Sequence, residues 1–132
     1  MDDASLCQAA LAARDGAHVP YSGFRVGAAL LCEDGALIRA ANLENASLGL
    51  SVCAERNAVA AAVMAGKTHI EAVAVVADDN DPTPPCGGCR QVLHEFGPGM
   101  LVVAEADNGR RAEWVLSALL PAAFDSSSLR DR

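Results

Sequence analysis

The sequence predicts an α/β fold, a mixed sheet with helices on its faces. Three observations carry that expectation. The segments VGAALLC (Val26 to Cys32) and ALIRAA (Ala36 to Ala41) flank the turn signal EDG, the pattern of a β-hairpin. The run IEAVAVVA (Ile70 to Ala77) is apolar almost throughout, as a central strand covered on both faces requires. The candidate elements follow in the order helix, hairpin, helix, strand, helix, strand, and that interleaving lays helices against a sheet.

The first helix is expected from about Ser5 to Ala13, with Leu6, Ala9, Ala10 and Ala13 on one face and Gly16 ending it. The loop HVPYSGF follows, broken by Pro20 and Gly23. After the hairpin comes NLENASLGLSV, a loop of Asn, Ser and Gly. Cys53 to Ala65 reads as a helix stopped by Gly66, and its long Ala-rich face suits burial against the sheet. Beyond the apolar run, DDNDPTPP excludes regular structure, and CGGCRQVLHEFG opens another helix that ends at Gly97. Met100 to Ala104 reads as a further buried strand. Glu113 to Leu120 fits either a last helix or a strand running into one. No internal repeat or low-complexity linker interrupts the chain, so residues 1–132 are expected to form one domain.

Apolar residues make up 52% of the 132, too many for a disordered chain. Aromatic residues are scarce, with one Trp, one Tyr and three Phe, so the core must be built from Ala, Val and Leu. Such a core buries less area per side chain, which favours an oligomer interface as a supplement. The formal net charge of −7 repels phosphate backbones, and no basic stretch interleaved with aromatics offers a strand-tracking groove. A small uncharged substrate suits this balance better than a nucleic acid. No stretch is long and apolar enough to span a bilayer, and the acidic start MDDASLC lacks the pattern of a secretory signal. A cytoplasmic location is the expectation, and there five Cys read as thiols or metal ligands.

The chemistry concentrates in Cys53-Ala54-Glu55 and Pro85-Cys86-Gly87-Gly88-Cys89. A Cys-x-x-Cys at a loop-to-helix junction lets two sulfurs converge on one ion, with Zn–S bonds of about 2.3 Å, and Cys53 opens the other helix. Two helix N-termini aimed at one point stabilise thiolates there. Three protein ligands leave one position open, as in catalytic rather than structural zinc sites, and metal-bound water ionises near pH 7. Glu55 can turn into the same pocket and move a proton between water and substrate. This x-Glu followed by Pro-Cys-x-x-Cys is the general signature of zinc deaminases. A redox pair usually has its CxxC after the first strand of a thioredoxin-like unit, whereas here it comes late. A structural zinc site wants a fourth ligand, and His94 lies five residues beyond Cys89, roughly 140° around the helix.

Taken together, PYSGFRVGAAL, NLENASLGLSVCAERNAV, PPCGGCRQVLHEF and LLPAAF resemble the small homotetrameric zinc-dependent cytidine deaminases, from about Ala4 to Phe124. The resemblance implies a three-layer α-β-α sandwich on a mixed sheet of about five strands with helices on both faces. It implies one Zn²⁺ per chain and hydrolysis of cytidine and deoxycytidine to uridine and deoxyuridine plus ammonia, a step of pyrimidine salvage. By the same resemblance Cys53, Cys86 and Cys89 bind the zinc, hydroxide attacks C4 of the pyrimidine, and Glu55 shuttles the proton. Asn42 and Glu44 match the pair that holds the ribose 3′-hydroxyl, Phe24 the aromatic beside the base, and Ala54 the backbone that reads it. Phe124 matches a late Phe that reaches a neighbouring subunit's pocket. Three thiolates leave the zinc cluster at net −1, and Arg56 matches the Arg that offsets this charge by hydrogen bonding to sulfur.

Taken singly, Phe24 and Phe124 read as packing residues, Asn42 as a turn residue, Glu44 as a solvated loop acid, Glu55 as an acid at a helix N-terminus and Arg56 as a surface Arg. Their shared register with the zinc motif sets them apart. Cys32 reads as a small core hydrophobe and Trp114 as core or interface, while Cys7, His18 and His69 fall outside the motifs. One position departs from the family, where Leu48 replaces the usual aromatic four residues after Glu44, at a subunit contact near the pocket. Three other readings stay open: a deaminase of a modified cytosine nucleoside such as blasticidin S, a non-catalytic zinc or redox domain, and a polynucleotide deaminase, which the acidity opposes.

Overall fold

A computed structural model describes residues 1–129. Helix α1 (Asp3–Arg14) is capped by the Asp2 carboxylate, which accepts from the Ser5 amide. Strands β1 (Val26–Cys32) and β2 (Leu37–Ala41) form the expected hairpin, its turn closed by Gly35 at φ 88°. Helix α2 (Ala54–Met64) starts on Cys53 and ends in a left-handed Gly66, whose amide and that of Lys67 close on the Val63 and Ala62 carbonyls. Strand β3 (Ile70–Ala77) is followed by α3 (Gly87–His94) and β4 (Leu101–Glu105). Helix α3 stops at His94, three residues short of the expected Gly97, where an added Cβ would stand 2.4 Å from the Ile70 carbonyl oxygen.

The open question at Glu113 to Leu120 resolves as a strand running into a helix: β5 (Arg111–Val115) hands over directly to the single turn α4 (Leu116–Leu119). The strand supplies the fifth member of the sheet, in the order β2-β1-β3-β4-β5. Only β3 and β4 pair in parallel, through the α3 crossover, and the other neighbours are antiparallel. β3 is the central strand, and seven of its eight residues are buried.

Strand alternation divides the interior into two cores, one on each face. Ala28, Leu30, Val73, Val75 and Val102 face α2, α3 and α4, meeting Ala54, Ala58, Ala62, Leu93 and Leu116. Ala29, Ala72, Ala74, Val76 and Val103 face α1, meeting Leu6, Cys7 and Ala10. The result is the expected three-layer sandwich. The small side chains on the second face let α1 approach so closely that a Cβ on Gly27 would stand 1.9 Å from the Ala10 carbonyl oxygen. Trp114 is half-buried against the first core, and Cys32 and Cys7 are buried. Among the described residues, no helix is long and apolar enough to cross a membrane.

Candidate metal centre and pocket

The site forms where two helices begin beside the end of the central strand. Cys53 is the residue that starts α2, and Cys86 the one that starts α3; both have extended backbones and neither thiol is used to cap its own helix. The thiols are therefore free to face one another in front of two sets of unpaired helix N–H groups. The Cys53 and Cys86 sulfurs lie 3.9 Å apart, and those of Cys86 and Cys89 3.4 Å apart. All three fall within 4.8 Å of one another. Sulfurs bound tetrahedrally at about 2.3 Å from one ion stand roughly 3.8 Å apart, close to the spacings here, so this donor set fits zinc. Arg90 braces the approach, donating from Nε to the Pro85 carbonyl at 2.7 Å and from Nη1 to the Leu119 carbonyl at 3.0 Å.

The trio is polarised by its own contacts. Cys53 is pushed down to about 6, first by its hydrogen bond with Cys89, then by Cys86 and the nearby Arg56 charge. Cys89 is pushed up by that same bond to Cys53 and by burial. Glu55, one residue into α2, is only 4% exposed, and burial raises its carboxyl to about 7.

A cavity of about 240 Å³ opens beside these groups. Of the residues expected at the site, Phe24, Asn42, Cys53, Ala54, Glu55 and Cys86 line it. Cys89 lies beneath, fully buried. Glu44 sits in an adjoining recess with Asn42 and Cys53, where its carboxylate accepts from the Tyr21 and Ser22 amides and the Ser22 hydroxyl. Those bonds hold the Glu44 carboxyl below its usual range, the Ser22 hydroxyl first among them. Asn42 bridges two strand ends, its Oδ1 accepting from Val26 N at 2.9 Å and its Nδ2 donating to the Phe24 carbonyl at 2.9 Å. Arg56 is exposed and does not line the cavity, but its charge acts on Cys53. Phe124 stands apart from the cavity, exposed, with its carbonyl held by Gln91 Nε2 at 2.7 Å. Leu48 is exposed in a short 3₁₀ turn.

Four lining residues escaped sequence reasoning: Val26, Val75, Thr83 and Pro84. The two valines look like ordinary strand residues, and only strand register places them under the cavity. Thr83 and Pro84 carried one usable signal, since the segment they belong to runs straight into Cys86.

Residues 1–105 match the model of the cytidine and deoxycytidylate deaminase zinc-binding region. The chain belongs to this deaminase family. It is 49% identical over 132 residues to a cytidine deaminase of Halalkalibacterium halodurans, covering 99% of this chain and 100% of that one. The crystal structure of a cytidine deaminase from Burkholderia pseudomallei superposes with a TM-score of 0.91 at 45% identity, covering 94% of this chain and 100% of that one. A blasticidin-S deaminase of Bacillus cereus is more distant, at 30% identity over 104 residues, which are 73% of this chain and 74% of that one. A zinc-binding deaminase family agrees with the donor set of this chain: three converging thiols with a buried carboxyl beside them.

Proposed function

We propose that the protein hydrolyses cytidine and deoxycytidine to uridine and deoxyuridine, releasing ammonia, as a cytoplasmic enzyme of pyrimidine salvage. The observation that carries this reading is the buried Glu55 carboxyl in a nucleoside-sized cavity whose edge is a three-thiol metal site. Cys53, Cys86 and Cys89 would hold one zinc ion, which supplies activation of water for attack at a ring carbon. Glu55 receives the proton that water gives up and delivers it from its carboxyl oxygen to the substrate, so that the amine at C4 leaves as ammonia. Its burial keeps that proton from bulk solvent.

The other residues bind and orient. Phe24, at the cavity wall, would pack beside the base, and the backbone of Ala54 would read the base edge. Asn42 and Glu44, in adjoining recesses, hold the ribose 3′-hydroxyl. Arg56 offsets the negative charge of the thiolate cluster through its own charge, which acts on Cys53. Exposed Phe124, Leu48 and Leu50 support a homotetramer in which Phe124 completes a neighbour's pocket. With Leu48 in place of an aromatic ring, that pocket rim is softer and its neighbour packing aliphatic.

The test is zinc-replete protein with cytidine, followed by loss of the 4-aminopyrimidine absorbance. Glu55→Gln should cut turnover by roughly 10²–10⁴-fold with zinc content unchanged. Arg56→Ala should lower turnover with zinc retained, and equal rates in that variant would remove Arg56 from the scheme. No conversion of cytidine by zinc-loaded protein would overturn the reading in favour of a modified cytosine nucleoside or a non-catalytic zinc domain.

A further inference from the structure

Phe24 and the pair Thr83 and Pro84 all line the cavity, and a single carboxylate, that of Asp78, joins the chain stretches that carry them. Val26 pairs with Ala77 where β1 begins and β3 ends, so Arg25 and Asp78 meet just beyond the sheet. Asp78 Oδ2 accepts from the Arg25 backbone amide at 3.0 Å and from Arg25 Nε at 2.8 Å. Asp78 Oδ1 accepts from Arg25 Nη2 at 3.0 Å, completing a two-pronged pair, and the Asp78 amide donates back to the Arg25 carbonyl at 2.9 Å. Behind them Arg14, on α1, donates from Nη1 to the Ala77 carbonyl at 3.1 Å and to Asp107 Oδ1 at 2.6 Å, and stands 3.4 Å from Asp78 Oδ1.

From this anchor the chain runs in two directions to the cavity. One residue before Arg25 is Phe24, which is 37% exposed and lines the cavity. After Asp78 the segment that carries Thr83 and Pro84 is tied at its far side to the β4–β5 turn. There the Asp107 amide donates to the Asp79 carbonyl, Asn108 Nδ2 to the Asn80 carbonyl, and Arg110 pairs with Asp81 at 2.9 Å. These bonds hold the segment on its far side, and Asp78 ties its near end to Arg25, the residue next to Phe24, whose carbonyl Asn42 also holds.

We propose that Asp78, through Arg25, is a positioning residue that sets the separation of Phe24 from Thr83 and Pro84, and so the width of the nucleoside cleft. The inference rests on the nucleoside deaminase reading above. A loosened wall lowers the fraction of enzyme ready to bind, which raises KM, while the bound complex, once formed, reacts as before.

Steady-state kinetics on cytidine with the zinc-loaded enzyme tests this. Asp78→Asn should raise KM about tenfold with kcat within about twofold, and raise the inhibition constant of uridine by the same factor. Arg25→Met should move both in the same direction, and the double variant should show less than the combined effect, because one interaction is removed twice. A purely structural role would lower kcat and zinc content together at unchanged KM, and that result overturns the proposal. If Asp78→Asn fails to fold, Arg25→Met decides alone, since its side chain is 41% exposed and tolerates replacement; an unchanged KM there overturns the proposal. If the unaltered enzyme does not convert cytidine, the functional reading fails first and this inference falls with it. Conversion by the unaltered enzyme with unchanged constants in both variants refutes this inference alone.

Discussion

Gly27→Ala should destabilise the protein through the backbone of α1. The added Cβ would stand 1.9 Å from the Ala10 carbonyl oxygen and 2.6 Å from the Arg14 amide nitrogen. Both are helix backbone, so neither can rotate away as a side chain would. Ordinary contact begins at 3.4 Å, and α1 has to retreat by about 1.5 Å to reach it. A gap of that size forfeits more than half of the dispersion between the facing surfaces. The surfaces affected are those of Leu6, Cys7 and Ala10 against Ala29, Ala74 and Val76, all buried. Overpacking of a tight core costs typically 1–3 kcal/mol, and with two backbone clashes the upper value, about 3 kcal/mol, is expected. For a domain of this size that lowers Tm by about 12 °C. Thermal denaturation of the zinc-loaded protein measures it, with Gly99→Ala as the control because a Cβ there meets nothing within 4 Å. A fall of less than about 3 °C in Gly27→Ala would refute the reasoning, since it would mean that α1 slides on the sheet at little cost.

Two further predictions concern thiols and acid. Burial first, and then Glu105, push the Cys7 thiol up to about 12, and burial raises Cys32 as well. In chelator-treated protein at pH 8, both should resist a thiol reagent until denaturant is added, leaving at most three thiols to react in the folded state; more than three fast thiols would contradict the packing. In acid, the hydrogen bond from Arg25 holds the Asp78 carboxyl below its ordinary 3.8, and Lys67 does the same for Asp34. A depressed folded value stabilises above pH 3.8 and loses that stabilisation as pH falls through the folded value. Urea midpoints should therefore show Asp78→Asn weaker than the unaltered protein at pH 7, with the gap closing toward pH 3; an equal gap at both would rule out the charge as its source.

The layers and the three-thiol cluster were legible because each rests largely on local rules. The apolar run of β3, the EDG turn and the glycine that ends α2 act within a few residues of themselves. The Cys-x-x-Cys pair is local too, and Cys53 could be joined to it only through the family pattern. β5 was ambiguous because RAEWV alternates half-buried and exposed positions and then runs into Leu116 without a break. The roles of Val26, Val75, Thr83 and Asp78 were invisible for a different reason. Each depends on the register between β1 and β3, strands separated by more than thirty residues of chain, and no local pattern encodes that register. Phe124 and Leu48 are exposed in the single chain, and an assembly would decide what they touch.

The three thiols that could hold zinc straddle the central strand, Cys53 ahead of β3 and Cys86 and Cys89 after it. During synthesis the first thiol emerges 33 residues before the second, so a metal ion met early finds only one ligand. A full donor set exists only once β3 lies beside β1 and the α2 and α3 N-termini are brought together. Loading is thus a late event that reports a correctly threaded chain, and a loaded ion stitches its two halves against unfolding. Removing the metal should therefore lower the unfolding midpoint, since a bound ion stabilises only the chain whose two halves already meet.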